Sequence, residues 1–261
     1  MLYYMDIMGS GLFRRQDGKY TKRKDIFNRW LPIDKYTKYI EPFVGGGNII
    51  MDAPYKKIMI ASDTDTTVIN IFKDLQTADL DTFINFDFIP NKKVWISYKN
   101  KLDEKQLDPT ERFIMTMYIK KFSFSGMVQG YNPNIRAQGR QYKTLKENIK
   151  AYKETLKHVK FYKKSYTVII PKYDSDSSFF YCDPPYYETS SLDYETGTID
   201  HLELFNILDN IKGYFLLSYN DTPYIRKLYK NYHITSFKNY QNFSAGGSTK
   251  IVADLLISNY Q

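Results

Sequence analysis

The chain has 261 residues, 43% hydrophobic and 17% aromatic, which excludes a globally disordered polypeptide and leaves room for one large domain or a domain with an insertion. Its formal net charge of +8 and pI near 9.1 favour a polyanionic partner, most simply nucleic acid, although basic proteins without such a partner are common. One cysteine, Cys182, and three scattered histidines, His158, His201 and His233, exclude an intramolecular disulfide and a multi-cysteine metal site and offer no metal-ligand cluster.

The opening "MLYYMDIMGSGLF" lacks a basic lead and a long apolar run, so no signal peptide is expected. No stretch approaches the ~18 apolar residues of a membrane span, and a soluble, cytoplasmic protein is expected. "YTKYIEPFVGGGN" (36–48) predicts a strand and then a glycine-rich turn, and "NIIMDA" the start of a short helix. "KKIMIASD" (56–63) predicts a second strand, followed by a helix over "TDTTVINIFKDL" capped by Thr64 or Asp65. That strand–turn–helix–strand rhythm belongs to a parallel α/β sheet. It breaks for about 85 residues. Asp108-Pro109-Thr110-Glu111 predicts a helix start by cap, N1 proline and acid at N3. A second helix is predicted over 142–158, where Tyr142, Leu145, Ile149, Tyr152 and Leu156 recur at spacings of 3 and 4. The intervening "KFSFSGMVQGYNPNIRAQGRQ" reads as a loop. The rhythm then resumes, with strands at "VKFYK", "SFFYC", "GYFLLS", "YHITSF" and "IVADLLIS" and helices at "HLELFNILDNI" and from Pro223 through "YIRKLYK". Residues 74–158 therefore read as a helical insertion in an α/β domain formed by 1–73 and 159–261.

Two motifs carry chemistry. In "EPFVGGG", a glycine turn after a strand lets backbone approach a ligand closely. Asp63 lies 22 residues beyond Glu41, about the separation at which an acid at the next strand end binds ribose hydroxyls. The glycines match no phosphate-binding pattern, and Glu41 would repel phosphates. A nucleoside with a positive centre and no phosphates suits the site, and S-adenosylmethionine has both properties. An ordinary glycine turn with a solvated acid is the alternative. "DPPY" (183–186) is more specific: a chance match in a chain of this length is on the order of one in a thousand. Prolines end the preceding apolar strand in a rigid elbow. Asp183 and the Pro184 carbonyl offer acceptors for both hydrogens of an exocyclic amine, and Tyr186 offers a stacking face. Two such acceptors favour a tetrahedral nitrogen and restore the lone pair that ring delocalisation withdraws. A rigid turn with a packed tyrosine is the alternative.

With these motifs the sequence resembles the Dam-like DNA adenine-N6 methyltransferases (D12 class, alpha-group motif order) over nearly its whole length. The resemblance implies a mainly parallel, seven-stranded, Rossmann-like α/β methyltransferase sheet with a helical target-recognition insertion, and S-adenosylmethionine as cofactor. It also implies methyl transfer to N6 of a flipped-out adenine in double-stranded DNA, with GATC the family's commonest target. By this resemblance Asp183, Pro184, Pro185 and Tyr186 are catalytic. Glu41, Pro42, Phe43, Gly45, Gly47, Asp63, Tyr166 (from "FYKKSY") and Asp183 face the cofactor, joined by Lys19, although "QDGKYTKRKDIFNRWLP" matches the family's N-terminal pattern only in part. "LLSYND" (216–221) resembles the strand flanking the target pocket, and "FSAGGSTKIVADLLISNY" the C-terminal strand, with Asp254 where glutamate is commoner. "KFSFSGM" resembles the start of the target-recognition hairpin. A cognate restriction endonuclease is a conceivable functional partner.

The charge concentrates in the insertion. From Lys120 to Lys157, nine Lys/Arg oppose Glu147 and Glu154, 9 − 2 = +7, a strip able to neutralise phosphates; a solvated lysine-rich helix face is the alternative. Lys121, Ser123, Ser125, Arg136, Gln138 and Arg140 are the candidate DNA contacts, the last three because arginine and glutamine suit base edges. Cys182 reads as a buried small residue, His201 as a first-turn residue of a helix capped by Asp200, and His233 as a strand residue. Three rivals remain: a cytosine-N4 methyltransferase, which shares the amine chemistry although that class usually carries serine rather than aspartate before the prolines; an RNA adenine methyltransferase; and a catalytically dead DNA-binding module on the same fold.

Overall fold

A computed structural model describes residues 12, 23–102, 104, 106–123, 130–133, 136–188, 199–242 and 249–261. In chain order its elements are α1 (Arg23–Asn28), β1 (Lys38–Glu41), β2 (Ile58–Asp63), α2 (Thr66–Thr77), α3 (Leu80–Asn85), α4 (Lys92–Lys101), α5 (Pro109–Lys121), α6 (Arg136–Leu156), β3 (Val159–Lys163), α7 (Tyr166–Tyr173), β4 (Ser178–Cys182), α8 (His201–Asp209), β5 (Tyr214–Asn220), α9 (Pro223–Leu228), β6 (His233–Asn242) and β7 (Thr249–Ser258). Each strand expected from the sequence is present.

The strands form one sheet in the order β3-β2-β1-β4-β5-β7-β6. β1 runs parallel to β2 and β4, with Glu41 opposite Ala61 and Ile40 opposite Phe180. β4 runs parallel to β5, with Cys182 opposite Leu217. β7 is antiparallel to both β5 and β6. The strand order reverses between β1 and β4, and in open α/β sheets ligands bind outside the carboxyl ends of the strands at such a switch point.

Both faces of the central strands are covered, which is why they read as continuous apolar runs rather than alternating ones. Ile40, Ile60, Phe180, Cys182, Phe215, Leu217, Leu255 and Ile257 pack with Ile169 and Ile170 of α7, Leu204 and Leu208 of α8 and Ile225 of α9. On the other face Trp30 meets Phe179 edge-on at 4.9 Å and Tyr181 at 5.9 Å, and its indole N–H donates to the Tyr36 hydroxyl at 2.8 Å.

Contacts divide the described residues into two compact units, one taking in 45–53 and 66–161, the other 23–44, 54–65 and 162–261. In the first unit, α2 is joined to α5 by a two-pronged pair in which Arg112 donates to Asp74 at 2.8 and 2.5 Å, with Asp74 only 3% exposed. Asp108 caps α5 as expected, accepting from Thr110 and Glu111 N–H at 2.8 and 3.2 Å. Asp79 and Asn91 cap α3 and α4 in the same way. Among the described residues, no helix is long and apolar enough to cross a membrane.

Three local expectations need correcting. Residues 48–53 form turns rather than a helix. One 5→1 bond (Met51 N–H to Gly47 O, 3.3 Å) and one 4→1 bond (Asp52 N–H to Ile49 O, 3.0 Å) close them, and Pro54 disfavours helical backbone at Ala53. Helix α6 begins at Arg136 rather than 142, because Arg136, Ala137, Gln138 and Arg140 are strong helix formers opposed there only by Gly139. Arg136, Gln138 and Arg140 therefore lie on helical backbone, not in a loop. Helices α1, α3, α4 and α7 were not anticipated.

Candidate active site

The acids singled out in the sequence lie at one edge of the sheet. Parallel pairing of β1 with β2 and β4 brings Glu41, Asp63 and Asp183 to the carboxyl ends of adjacent strands. Glu41 is 2% exposed and accepts a hydrogen bond from the Tyr39 hydroxyl at 2.7 Å. Its carboxyl is held well above the ordinary range by burial, partly countered by that bond and reinforced by the nearby charge of Asp183. Asp63 is half-buried and accepts the Asp65 N–H at 3.0 Å. Ser62 anchors this strand end: its hydroxyl donates to Tyr162 O at 2.9 Å, and its carbonyl accepts the Val44 N–H at 2.9 Å.

Pro42 is buried, and Phe43 is half-buried with its ring 5.4 Å from that of Tyr166. Tyr166 is fixed by its hydroxyl, which donates to Glu203 at 2.7 Å. Gly45 and Gly47 adopt φ of +48° and +75°. A Cβ on Gly47 would also stand 2.7 Å from the Phe72 ring, so glycine is required twice over at this position. A buried acid, a strand-end acid and paired rings make a donor set that fits a cationic nucleoside. Lys19 lies outside the described residues.

The elbow is fastened from two other strands. β5 and β7 pair antiparallel, with Ser218 opposite Leu256 and Asn220 opposite Asp254. Ser218, Asn220 and Asp254 therefore share one face of the sheet. The Tyr186 hydroxyl donates to Asp254 at 2.9 Å and lies 3.3 Å from the Ser218 hydroxyl. Burial, then the charges of Asp183 and Asp254, push its pKa well up, so it stays protonated and donates, while the residue as a whole remains half-buried. Asn220 grips the next peptide from both sides: its carbonyl accepts the Tyr187 N–H at 3.0 Å and its amide donates to Tyr187 O at 2.8 Å. Tyr187 stacks on Tyr224 at 4.5 Å, and the chain leaves the elbow through Glu188 at φ +59°. Asp183 is half-buried and Pro184 buried, with Pro185 half-buried beside them.

Sequence reasoning did not single out Ser218, Asn220 or a hydroxyl tether for Tyr186. The signal available was the i, i+2 placing of two polar side chains at the end of a buried strand. Cys182 is fully buried, and burial raises its thiol pKa, leaving it inert. His201 follows its cap, Asp200, which accepts from Leu202 and Glu203 N–H. Its Nδ1 is 2.7 Å from the Tyr219 hydroxyl, and burial lowers its pKa.

The basic candidates sit in the helical unit. Lys121 is half-buried, with its ammonium 5.0 Å from the ring centres of Phe88 and Tyr142, and burial lowers its pKa. Ser123 is 1% exposed; its hydroxyl donates to Ile119 O at 2.6 Å and accepts from the Trp95 indole at 3.2 Å. Ser123 bridges antiparallel to Tyr131. Ser125 lies outside the described residues, as do the side chains of Arg136, Gln138 and Arg140. Along α6 much of the charge is engaged internally. Lys146 and Lys153 donate to the carbonyls of Phe86 and Ala78 at 2.7 and 2.9 Å. Lys150 pairs with Asp81 at 2.7 Å, Lys143 with Glu147 at 4.0 Å, and Lys157 with Glu154.

A mainly parallel seven-stranded sheet in this order, with acids at its switch point and an Asp-Pro-Pro-Tyr elbow beside them, defines the Rossmann-like methyltransferase class. The family profile described as D12 class N6 adenine-specific DNA methyltransferase matches residues 18–243. The DNA adenine methylase of Escherichia coli (strain K12) is 24% identical over 266 residues, covering 94% of this chain and 92% of that protein. Type II methyltransferase M1.LlaDCHI of Lactococcus lactis subsp. cremoris is 23% identical over 258 residues, covering 89% of each. The N-terminal domain of human METTL16, solved in complex with SAH, superposes with a TM-score of 0.35 at 11% identity over 92% of this chain and 67% of that one, too distant to add weight. The chain belongs to the D12 class of N6 adenine-specific DNA methyltransferases. It is a DNA adenine-N6 methyltransferase that uses S-adenosylmethionine.

Proposed function

We propose that the Asp183–Tyr186 elbow holds and activates the amino nitrogen of an adenine extruded from double-stranded DNA. The observation that carries this reading is the meeting of Glu41, Asp63 and Asp183 at the switch-point edge beside a tyrosine whose hydroxyl is tied inside. Bound S-adenosylmethionine supplies an electrophilic methyl carbon on a cationic sulfur. Glu41, Asp63, Phe43 and Tyr166 are the residues that would hold it, acids and rings facing a cation and a nucleoside, beside the buried Pro42; Lys19, Gly45 and Gly47 are candidates from the sequence.

Tyr186 stacks on the extruded base, recovering part of the few kcal/mol that unstacking costs. The Asp183 carboxylate and the Pro184 carbonyl accept the two N6 hydrogens, and Pro185 keeps the elbow stiff. The nitrogen is thereby drawn towards a tetrahedral shape with its lone pair free. The Asp183 carboxylate would stabilise positive charge that develops on N6. Orientation supplies much of the rest.

Residues 74–158 act as the target-recognition insertion. Ser125, Arg136, Gln138 and Arg140 are its candidate DNA contacts from the sequence. Lys121 and Ser123, the other candidates, contact rings and hydrogen-bond partners of the helical unit. GATC is the first target sequence to test. A cytoplasmic enzyme, functionally paired with a restriction endonuclease, fits this reading.

The test is to methylate plasmid DNA with the purified protein, digest it to nucleosides and sequence it with detection of modified adenines. N6-methyladenine in one sequence context is expected. N4-methylcytosine, or methylation of RNA in preference to duplex DNA, would overturn the reading.

A further inference from the structure

The family motif ends at Tyr186, yet three residues outside it set where that ring stands. We infer that Asp254 on β7 is a positioning residue for methyl transfer, acting through the Tyr186 hydroxyl, with Ser218 and Asn220 of β5 completing the clamp. The inference rests on the reading that Tyr186 stacks on the target base.

The geometry is specific. A phenol has one torsion that swings its ring against the chain and one that spins it. A hydrogen bond at the far end of the ring, 2.9 Å to a carboxylate that is 0% exposed, fixes the swing; because the hydroxyl oxygen lies on the spin axis, it biases the spin only through the preference of the O–H for the ring plane. The Ser218 hydroxyl, 3.3 Å from the same oxygen, flanks that bond. Asn220 fixes the main chain one residue on, with two bonds to Tyr187. The ring is therefore held at its tip from β7 and at its base from β5, while part of its surface remains exposed. A stacking platform whose orientation is set beforehand loses little freedom when the base arrives.

The test is a double-mutant cycle in the full-length enzyme. It is read as the single-turnover methylation rate, the KM for duplex DNA and the S-adenosylmethionine Kd. Tyr186→Phe keeps the ring and removes the tether. Its rate is expected to fall about tenfold, the loss of one hydrogen bond to a charged group, with cofactor affinity unchanged. Asp254→Leu is expected to lose a similar factor. The Tyr186→Phe/Asp254→Leu double variant should be no slower than the slower single one, because both remove the same bond. Asp254→Asn, whose amide oxygen still accepts the hydroxyl, should keep the rate within about threefold, and it serves where Asp254→Leu does not fold. Multiplying losses in the double variant, or a wild-type rate in Tyr186→Phe, would overturn the inference. Failure of the underlying reading would appear separately, as full activity in Tyr186→Ala, which removes the ring itself.

Discussion

The sheet edge and helix α6 were the two places where sequence pointed to function, and folding treats them differently. At the edge, residues distant in sequence converge and reinforce the motif: the charge of Asp183 reaches Glu41, and Asp254 reaches Tyr186. On α6, folding brings in groups that engage the lysine ammoniums: Asp81 pairs with Lys150, and the carbonyls of Phe86 and Ala78 accept from Lys146 and Lys153. A rigid turn motif keeps its meaning in the fold because its geometry is local. A count of charges along one segment does not, because its counterions come from elsewhere.

The largest effect is expected from Arg112→Ala, which leaves the Asp74 carboxylate buried without its guanidinium. Thermal or urea unfolding should show a loss of about 3 kcal/mol, showing that the helical unit depends on a buried pair rather than on its surface lysines. Next, Tyr186→Ala should lower kcat/KM about thirtyfold, the value of one base-stacking contact, with folding stability measured alongside to separate the two.

The third prediction concerns pH. Glu41 has a folded-state pKa raised by burial, so the native state holds its proton more tightly than the unfolded chain. Its contribution to stability is complete below the ordinary carboxylate range and is lost as pH rises through the raised value. In the cofactor-free protein, Glu41→Gln should remove that decline, which denaturant titrations across this range would detect. An unchanged slope would mean that Glu41 is already ionised in the native state.

The smallest effects belong to the lysines. Lys143→Ala and Lys157→Ala, on exposed pairs, should each reduce the salt slope of DNA binding by at most about 1. They should leave stability within about 0.5 kcal/mol. Lys146→Ala should instead cost about 1 kcal/mol of stability by releasing the Phe86 carbonyl. Equal salt effects for both groups would erase the contrast drawn here.

The strands were legible because buried apolar runs closed by Asp, Gly or Pro have few other readings. Helix α4 was not, because Trp95 is its only buried residue and no apolar period marks it. Its cap, Asn91, was the available sign. Helix α6 was read short because glycine and asparagine upstream outweighed its good helix formers. At the site, Asp183, Glu41 and Tyr186 were visible as residue types in order. Ser218, Asn220 and Asp254 were not visible as partners, since their roles depend on the β5–β7 register, which brings together residues 34 positions apart.

The central claim is that the Asp183 carboxylate activates the adenine amine. Its most direct test is the single-turnover rate of Asp183→Ala on duplex DNA, measured beside S-adenosylmethionine binding and melting temperature. A rate loss of at least about a hundredfold, with the cofactor still bound and the fold intact, is the expected result. Turnover close to that of the unaltered enzyme would contradict it.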